Sequence, residues 1–226
     1  MTYSKFSLDY FFQQDNSWIS QLTVNGYPLA ALIWNLFLFL IPWLLCNSLF
    51  KYWKKTKFKK WHNKIIAIAI AFVWLLFLPN TAYVITEIRH IAGACPIASF
   101  HNVCLDSAWM IIFLFTYGIL GWIAFVYLIK QMHSLIAKIW NNRIAFIYLI
   151  IIIPITALGV LLGLLDRWNS WELLTTPLPL FKTLLLYITD PVYFLNWLIF
   201  SGFLYILYWI GQAVFKDIKK ISKPFE

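Results

Sequence analysis

Polar and ionisable side chains interrupt an otherwise apolar stretch between residues 78 and 90. On an α-helix, at about 100° per residue, one face carries Asn80, Tyr83, Glu87 and His90. Arg89 is predicted to point away from that face. A carboxylate and an imidazole spaced i, i+3 can reach one ion or exchange protons with a substrate. The pattern therefore predicts Glu87 and His90 as catalytic groups or as ligands of a divalent metal. The plainer alternative is a surface ion pair.

A second polar cluster, residues 166–172, directly follows another apolar run. An acidic group just past a helix C-terminus opposes the helix dipole, so Asp166 needs a partner, and Arg167 is the nearest. In a catalytic site, Asp166 could act as a general base and Arg167 could hold an anion. Asn169 and Glu172 have capping-box spacing, so they could start a helix as readily as they could bind a ligand.

Five apolar runs are long enough to position these clusters, because a helix needs about 20 apolar residues to cross a bilayer. They cover residues 29–49, 65–85, 107–128, 144–165 and 191–215. With 62% apolar and 12% charged residues, the chain is too apolar for a soluble domain. We therefore expect an all-α polytopic transmembrane helix bundle, forming one membrane domain over residues 1–226. The apolar stretch 178–189 is too short to span and predicts an interfacial or re-entrant helix in the last outer loop.

The basic residues predict how the chain is oriented. Fourteen of the eighteen Lys and Arg residues lie in the segments 51–64, 130–143 and 216–226. Because basic residues near span ends stay in the cytoplasm, we expect an outside N-terminus and a cytoplasmic C-terminus. Both polar clusters then lie on the outer face. The net charge of +9 is explained by attraction to anionic lipids, so membrane lipid rather than nucleic acid is the expected partner.

Cys95 and Cys104 share one predicted outer loop, where oxidation can occur. A disulfide between them and a pair of free thiols are both compatible with the spacing.

At its two polar clusters the chain resembles a bacterial family catalogued as domain of unknown function 1361. The resemblance rests on Leu78-Pro79-Asn80-Thr81-Ala82-Tyr83, on Thr86-Glu87-x-x-His90, and on Arg167-Trp168-Asn169-Ser170-Trp171-Glu172. Where this chain has Glu87 and Glu172, the family pattern usually has Asp. The resemblance implies a multi-pass protein of the bacterial plasma membrane and joins both clusters in one site. It supplies no activity.

Two functions stay open from the sequence. The first is a membrane-embedded enzyme acting on an envelope or lipid substrate, with the catalytic residues Glu87, His90, Asp166 and Arg167. The second is a binding, accessory or assembly protein that docks a partner or a lipid head group. The predicted binding residues are Asn80, Tyr83, Asn169, Trp171 and Glu172. A transporter is less favoured, because the spans hold few ionisable groups at mid-depth and show no inverted repeat. The sequence identifies no cofactor beyond the metal at Glu87 and His90, and no protein partner or oligomeric state.

Overall fold

The structure is a computed structural model that describes residues 22–24, 27–93 and 108–222 of the 226-residue chain. A hairpin of two-residue strands, β1 (Thr23–Val24) and β2 (Tyr27–Pro28), precedes the first helix. A 3-10 helix covers Val84–Gly93. The α-helices are α1 (Leu29–Thr56), α2 (Trp61–Phe77), α3 (Pro79–Tyr83), α4 (Ala108–Ile139), α5 (Asn142–Leu164), α6 (Glu172–Thr175), α7 (Pro177–Thr189) and α8 (Pro191–Ser222).

Five helical segments are long and apolar enough to cross a membrane, which confirms the prediction of an all-α polytopic bundle. They are Leu29–Thr56, Trp61–His90, Ala108–Ile139, Asn142–Leu164 and Pro191–Lys216. Several helices continue past the predicted apolar runs into the basic segments, as α1 does through Lys54 and Lys55. Lys favours helix and its long stem keeps the ammonium group in water, so the helix need not end where the hydrocarbon ends.

The core of the bundle forms around α4, whose Phe125 and Ile129 are fully buried. Ile153 of α5 and Leu204 of α8 are buried in the same cluster. Large apolar side chains also cover the outside of the bundle, among them Ile112, Ile147 and Ile199. An exposed apolar surface of this extent is what a helix bundle presents to lipid.

The second span is broken at Pro79, and this break positions the first polar cluster. α2 ends at Phe77, and α3 begins at Pro79, the position in a helix that tolerates a missing N–H. Glycines of the neighbouring spans hold the broken segment. A Cβ on Gly159 would lie 2.5 Å from Cγ of Pro79, and one on Gly121 would lie 2.6 Å from the Thr81 carbonyl oxygen. Small residues thus allow α4 and α5 to approach the break at backbone distance.

The short helix predicted in the last loop is present as α7, Pro177–Thr189. At 1.5 Å per residue it is about 20 Å long, which is too short to cross the hydrocarbon core. Leu180 and Tyr187 are its buried residues. Asp190 then caps α8, because its Oδ1 accepts hydrogen bonds from the backbone N–H groups of Val192 and Tyr193.

Candidate functional site

A cavity of about 350 Å³ lies between α1, α2, α3, α5, α7 and the segment 166–172. Most of its wall is apolar and comes from the helices, including Leu38, Leu75, Leu158, Leu162, Leu180 and Leu184. The polar part of the wall comes from α1 and from both sequence clusters: Asn35, Asn80, Tyr83, Arg167, Asn169 and Ser170. Three indole rings complete it, those of Trp34, Trp168 and Trp171. A largely apolar cavity of this volume with a few convergent polar groups is typical of a ligand site.

Asn80 connects the two polar clusters directly. Its Nδ2 donates to Oγ of Ser170 at 3.1 Å and to the Phe77 carbonyl at 3.0 Å. In an unbroken helix, the Phe77 carbonyl would accept from the N–H of Thr81. That N–H instead donates to Leu78 at 3.1 Å, because the helix is interrupted at Pro79. The Asn80 side chain therefore satisfies a carbonyl left by the break and holds the second cluster beside it.

Tyr83 lines the cavity, and Arg89 contacts both its hydroxyl group and its ring. Nη2 of Arg89 donates to Tyr83 Oη at 3.0 Å, and the guanidinium lies 5.5 Å from the ring centroid. The prediction that Arg89 points away from the polar face is wrong. It assumed about 3.6 residues per turn, whereas the backbone after Tyr83 is a 3-10 helix with three. Residues six positions apart then eclipse one another, which stacks Arg89 on Tyr83.

Glu87 is buried, at 2% exposure, and lies near the nitrogen atoms of two side chains, Arg89 and His90. Its Oε1 lies 3.7 Å from Nη2 of Arg89, and its Oε2 lies 3.4 Å from Nε2 of His90. Within the described part of the chain, no group of three His, Cys, Asp or Glu side chains could hold a metal ion. Glu87 and His90 alone supply two donors, fewer than the three protein ligands of a catalytic zinc site. The four side chains instead form a chain of contacts: His90 contacts Glu87, Glu87 contacts Arg89, and Arg89 contacts Tyr83.

Asp166, two residues after the last residue of α5, accepts a hydrogen bond from Tyr187 of α7. The distance from Tyr187 Oη to Asp166 Oδ2 is 2.9 Å. Burial of the ring, and then the negative charge of Asp166, raise the pKa of Tyr187 well above its usual value. The phenol therefore stays protonated and can keep donating to the carboxylate. Asp166 thus fastens the short helix to the end of the fourth span.

Arg167 adopts a left-handed backbone conformation, with φ of 58°. This region suits glycine, and another residue there costs roughly 1–2 kcal/mol. The turn reverses the chain after α5, so that the Trp168 N–H donates to Leu162 at 3.0 Å. Arg167 is exposed and lines the cavity. The left-handed turn places Arg167 in the wall of the cavity, at this cost in backbone energy.

Glu172 sets the conformation of the turn before α6. Its Oε2 accepts from the backbone N–H of Asn169 at 2.5 Å and from Asn169 Nδ2 at 3.0 Å. The first of these contacts has the spacing of a capping box, but α6 begins at Glu172 with Trp171 as its N-cap, so the contact closes the turn before the helix. The indole N–H of Trp168 donates to Thr183 of α7 at 3.2 Å. The second cluster is therefore held both internally and against the short helix.

The predicted site residues thus separate into two groups. Those that line the cavity are Asn80, Tyr83, Arg167, Asn169 and Trp171. As far as the described residues define the wall, it does not include Glu87, His90, Asp166 or Glu172. Cys95 and Cys104, the predicted disulfide pair, lie outside the described residues.

Several contributors are not among the predicted site residues. Arg89 is predicted on the wrong face, and Trp34 lies in an apolar span whose pattern does not distinguish it. Trp34 packs edge-on against Trp171, with ring centroids 6.3 Å apart. Tyr187 lies within an apolar stretch, where it carries one of the few hydroxyl groups of that helix. A polar group inside a short apolar helix was the signal that could have identified it.

Comparison with known proteins places the chain in a family. A family model described as "Protein of unknown function (DUF1361)" matches residues 34–208, which include both polar clusters and the residues that line the cavity. Comparisons with curated proteins and with solved structures gave no match. The matched region covers most of the chain, and the five apolar helices are those of a multi-pass membrane protein. The chain therefore belongs to the DUF1361 family of proteins of unknown function.

Proposed function

We propose that this protein is a binding protein of the bacterial plasma membrane that holds the anionic head group of a lipid or lipid-linked molecule at the outer face. The observation that carries the proposal is the composition of the cavity wall. Among the residues that the structure describes, Arg167 is its only charged side chain. Amide, hydroxyl and indole groups accompany Arg167, and the remainder of the wall is mainly hydrocarbon. This combination suits an amphiphile with one anionic group.

The basic ends of the helices support the outer location. α1 ends with Lys54 and Lys55, α4 ends near Lys138, and α5 begins next to Arg143. Under the positive-inside rule this end of the bundle faces the cytoplasm. Gly163 of the cavity wall lies twenty residues along α5 from Arg143, or about 30 Å. That distance is the thickness of the hydrocarbon core, so the cavity belongs to the opposite interface.

The positions of the acidic groups favour binding over catalysis. Glu87 faces Arg89 and His90, and Glu172 faces the Asn169 backbone. Neither carboxylate lines the cavity, and both make contacts that position residues of its wall. A general base must come within hydrogen-bond reach of the proton it removes. The described wall offers no carboxylate or imidazole in that position, so the same residues act as support for a binding surface.

Arg167 is suited to an anionic head group because its planar guanidinium can donate two parallel hydrogen bonds to a phosphate or carboxylate. Asn80 and Asn169 supply further polar groups in the wall. The indoles of Trp34 and Trp171 combine an apolar body with a polar edge, which is why tryptophan is common at the membrane interface. The leucines deeper in the wall can then contact the first methylene groups of a lipid chain.

The test measures binding of n-dodecyl phosphate to the full chain in a neutral detergent by calorimetry, corrected for partition into empty micelles. We expect binding of dodecyl phosphate, no comparable binding of n-dodecanol, and a loss of affinity of about tenfold or more in Arg167→Gln. Lys182→Gln is the matched control, because Lys182 is exposed on α7 and is not a wall residue. Equal affinities in parent and Arg167→Gln would overturn the proposal, as would an equal loss in the control.

A further inference from the structure

A second and larger cavity, of about 750 Å³, lies between α1, α2, α4 and α5. Its wall is almost entirely apolar, with contributions from Leu49, Ala67, Ile68, Met132, Ile136 and Ile152. Lys57, Lys64 and Trp140 belong to the same wall and come from the basic ends of these helices. Leu75 and Ile155 line both this cavity and the first one. The large cavity therefore extends from the basic end of the bundle to the back of the small cavity.

The two lysines provide positive charge at the edge of an apolar space. Lys64 is exposed, and Lys57 is exposed with its Nζ 3.9 Å from the centroid of the Trp53 ring. A cation over an aromatic ring keeps its charge, so Lys57 can still attract an anion. Phe58, which also lines the cavity, and Lys57 both have left-handed backbone conformations, with φ of 52° and 49°. The turn after α1 thus brings one apolar and one cationic side chain to the wall.

Tyr148 of α5 belongs to the apolar part of this wall. Its Oη is buried, so the ring rather than the hydroxyl lines the cavity. Tyr148 lies five residues from Arg143, or about 7–8 Å from the basic end of α5. An occupant must therefore change from charged to apolar within one to two helical turns of the basic end.

We propose that this cavity binds an anionic diacyl phospholipid of the cytoplasmic leaflet. The phosphate lies against Lys57 and Lys64, and one acyl chain fills the apolar space. Charge complementarity selects this occupant, because lysines near the cytoplasmic surface attract anionic lipids. Trp140, which is 62% exposed, supplies an interfacial indole beside the head group. The proposal concerns other residues than the outer site and does not depend on it.

The experiment uses the full chain in nanodiscs made of equal amounts of dioleoyl phosphatidylglycerol and dioleoyl phosphatidylcholine. After transfer to detergent, native mass spectrometry counts the retained molecules of each lipid. We expect the parent to retain one phosphatidylglycerol in preference to phosphatidylcholine. In the double variant Lys57→Gln, Lys64→Gln, the ratio of the two retained lipids should fall roughly tenfold or more.

The matched control is the double variant Lys55→Gln, Lys59→Gln, which removes the same charge from the same basic segment. Both lysines are exposed and neither lines the cavity. We expect the control to keep the preference of the parent for phosphatidylglycerol. A parent without preference, or an equal loss in both double variants, would overturn the proposal, because attraction would then come from surface charge alone.

Discussion

Nδ2 of Asn80 and Oγ of Ser170 lie 3.1 Å apart, although ninety residues separate them in the chain. The contact joins the break in the second span to the turn after the fourth. Both residues line the small cavity, so the hydrogen bond fixes the relative position of two parts of its wall. The same Asn80 amide also donates to the Phe77 carbonyl, so one side chain satisfies the carbonyl left by the break at Pro79 and makes the contact across it.

Replacing Asn80 by Ala should therefore destabilise the protein more than loss of an ordinary surface amide. The variant loses both hydrogen bonds and leaves a partly buried carbonyl unpaired, which costs about 1–3 kcal/mol. Thermal unfolding in detergent measures the effect. Asn142→Ala is the control, because Asn142 is exposed in the first turn of α5. Equal melting temperatures for the two variants would contradict the role assigned to Asn80.

Gly159→Ala should separate α5 from the broken span. The new Cβ would lie 2.5 Å from Pro79 Cγ, a ring atom that cannot turn aside, so the helices must shift. We expect a loss of about 1–3 kcal/mol, typical of overpacking, together with weaker binding of dodecyl phosphate. Gly202→Ala introduces the same change where nothing lies within 4 Å, and helix propensity should make it neutral or slightly stabilising. A Gly159→Ala variant as stable as the parent would show that the two segments do not pack as described.

Tyr83 and Arg89 should be energetically coupled. A double-mutant cycle with Tyr83→Phe and Arg89→Gln isolates the interaction, and we expect a coupling energy of roughly 0.5–3 kcal/mol. Tyr83→Phe keeps the ring in the cavity wall and removes only the hydroxyl that accepts from Arg89. Unfolding of the four proteins in detergent gives the cycle. Additive effects would mean that the 3-10 helix does not hold Arg89 against Tyr83.

Because of Tyr187, the folded protein should lose stability at alkaline pH. Its pKa is raised in the folded protein, first by burial and then by the charge of Asp166, so the folded state holds this proton more tightly than the unfolded state. The resulting stability is fully present below the ordinary tyrosine pKa near 10 and is lost as the pH rises above it. We expect the melting temperature of the parent to fall more steeply above about pH 10 than that of Tyr187→Phe. Tyr127→Phe, at an exposed position of α4, should follow the parent. Identical slopes in all three proteins would count against the Tyr187–Asp166 contact.

The metal content of the purified protein shows whether Glu87 and His90 bind a metal ion or only form an ion pair. We expect less than about one-tenth of a metal ion per chain in the parent, in Glu87→Ala and in His90→Ala, since two protein ligands rarely retain a metal through purification. Arg89 also competes for the carboxylate from a distance of 3.7 Å. Mass spectrometry of the purified protein in chelator-treated buffers measures the content. A stoichiometric metal that is present in the parent and lost in both variants would restore the metal-site hypothesis.

The five spans could be predicted from sequence because a backbone that crosses lipid on its own is restricted to the helical conformation. Every N–H and C=O in the hydrocarbon core must find a partner, and a run of twenty apolar residues does so as a helix. Only the family resemblance predicted that the two polar clusters lie close together. Their contact depends on how closely α5 approaches Pro79, which the sequence pattern does not show. That distance is set by Gly159, whose effect is visible only once the packing is known.

The contacts within the first cluster could not be predicted from sequence because its backbone is not a regular α-helix. The chain changes to 3-10 geometry at Val84, which rotates Arg89 onto Tyr83. The hydrogen bond between Tyr187 and Asp166 could not be predicted either, because it depends on how α7 packs against the end of α5. Local periodicity holds no information about either arrangement.

Leu75 and Ile155 form a partition between the two cavities. A ligand that pushes this pair toward the basic end of the bundle enlarges its own cavity and shrinks the other, with no movement of a whole helix. Occupancy of one cavity would then change the affinity of the other, and linkage requires the influence to be equal in both directions. Two aliphatic side chains would suffice to couple binding at the two ends of the bundle.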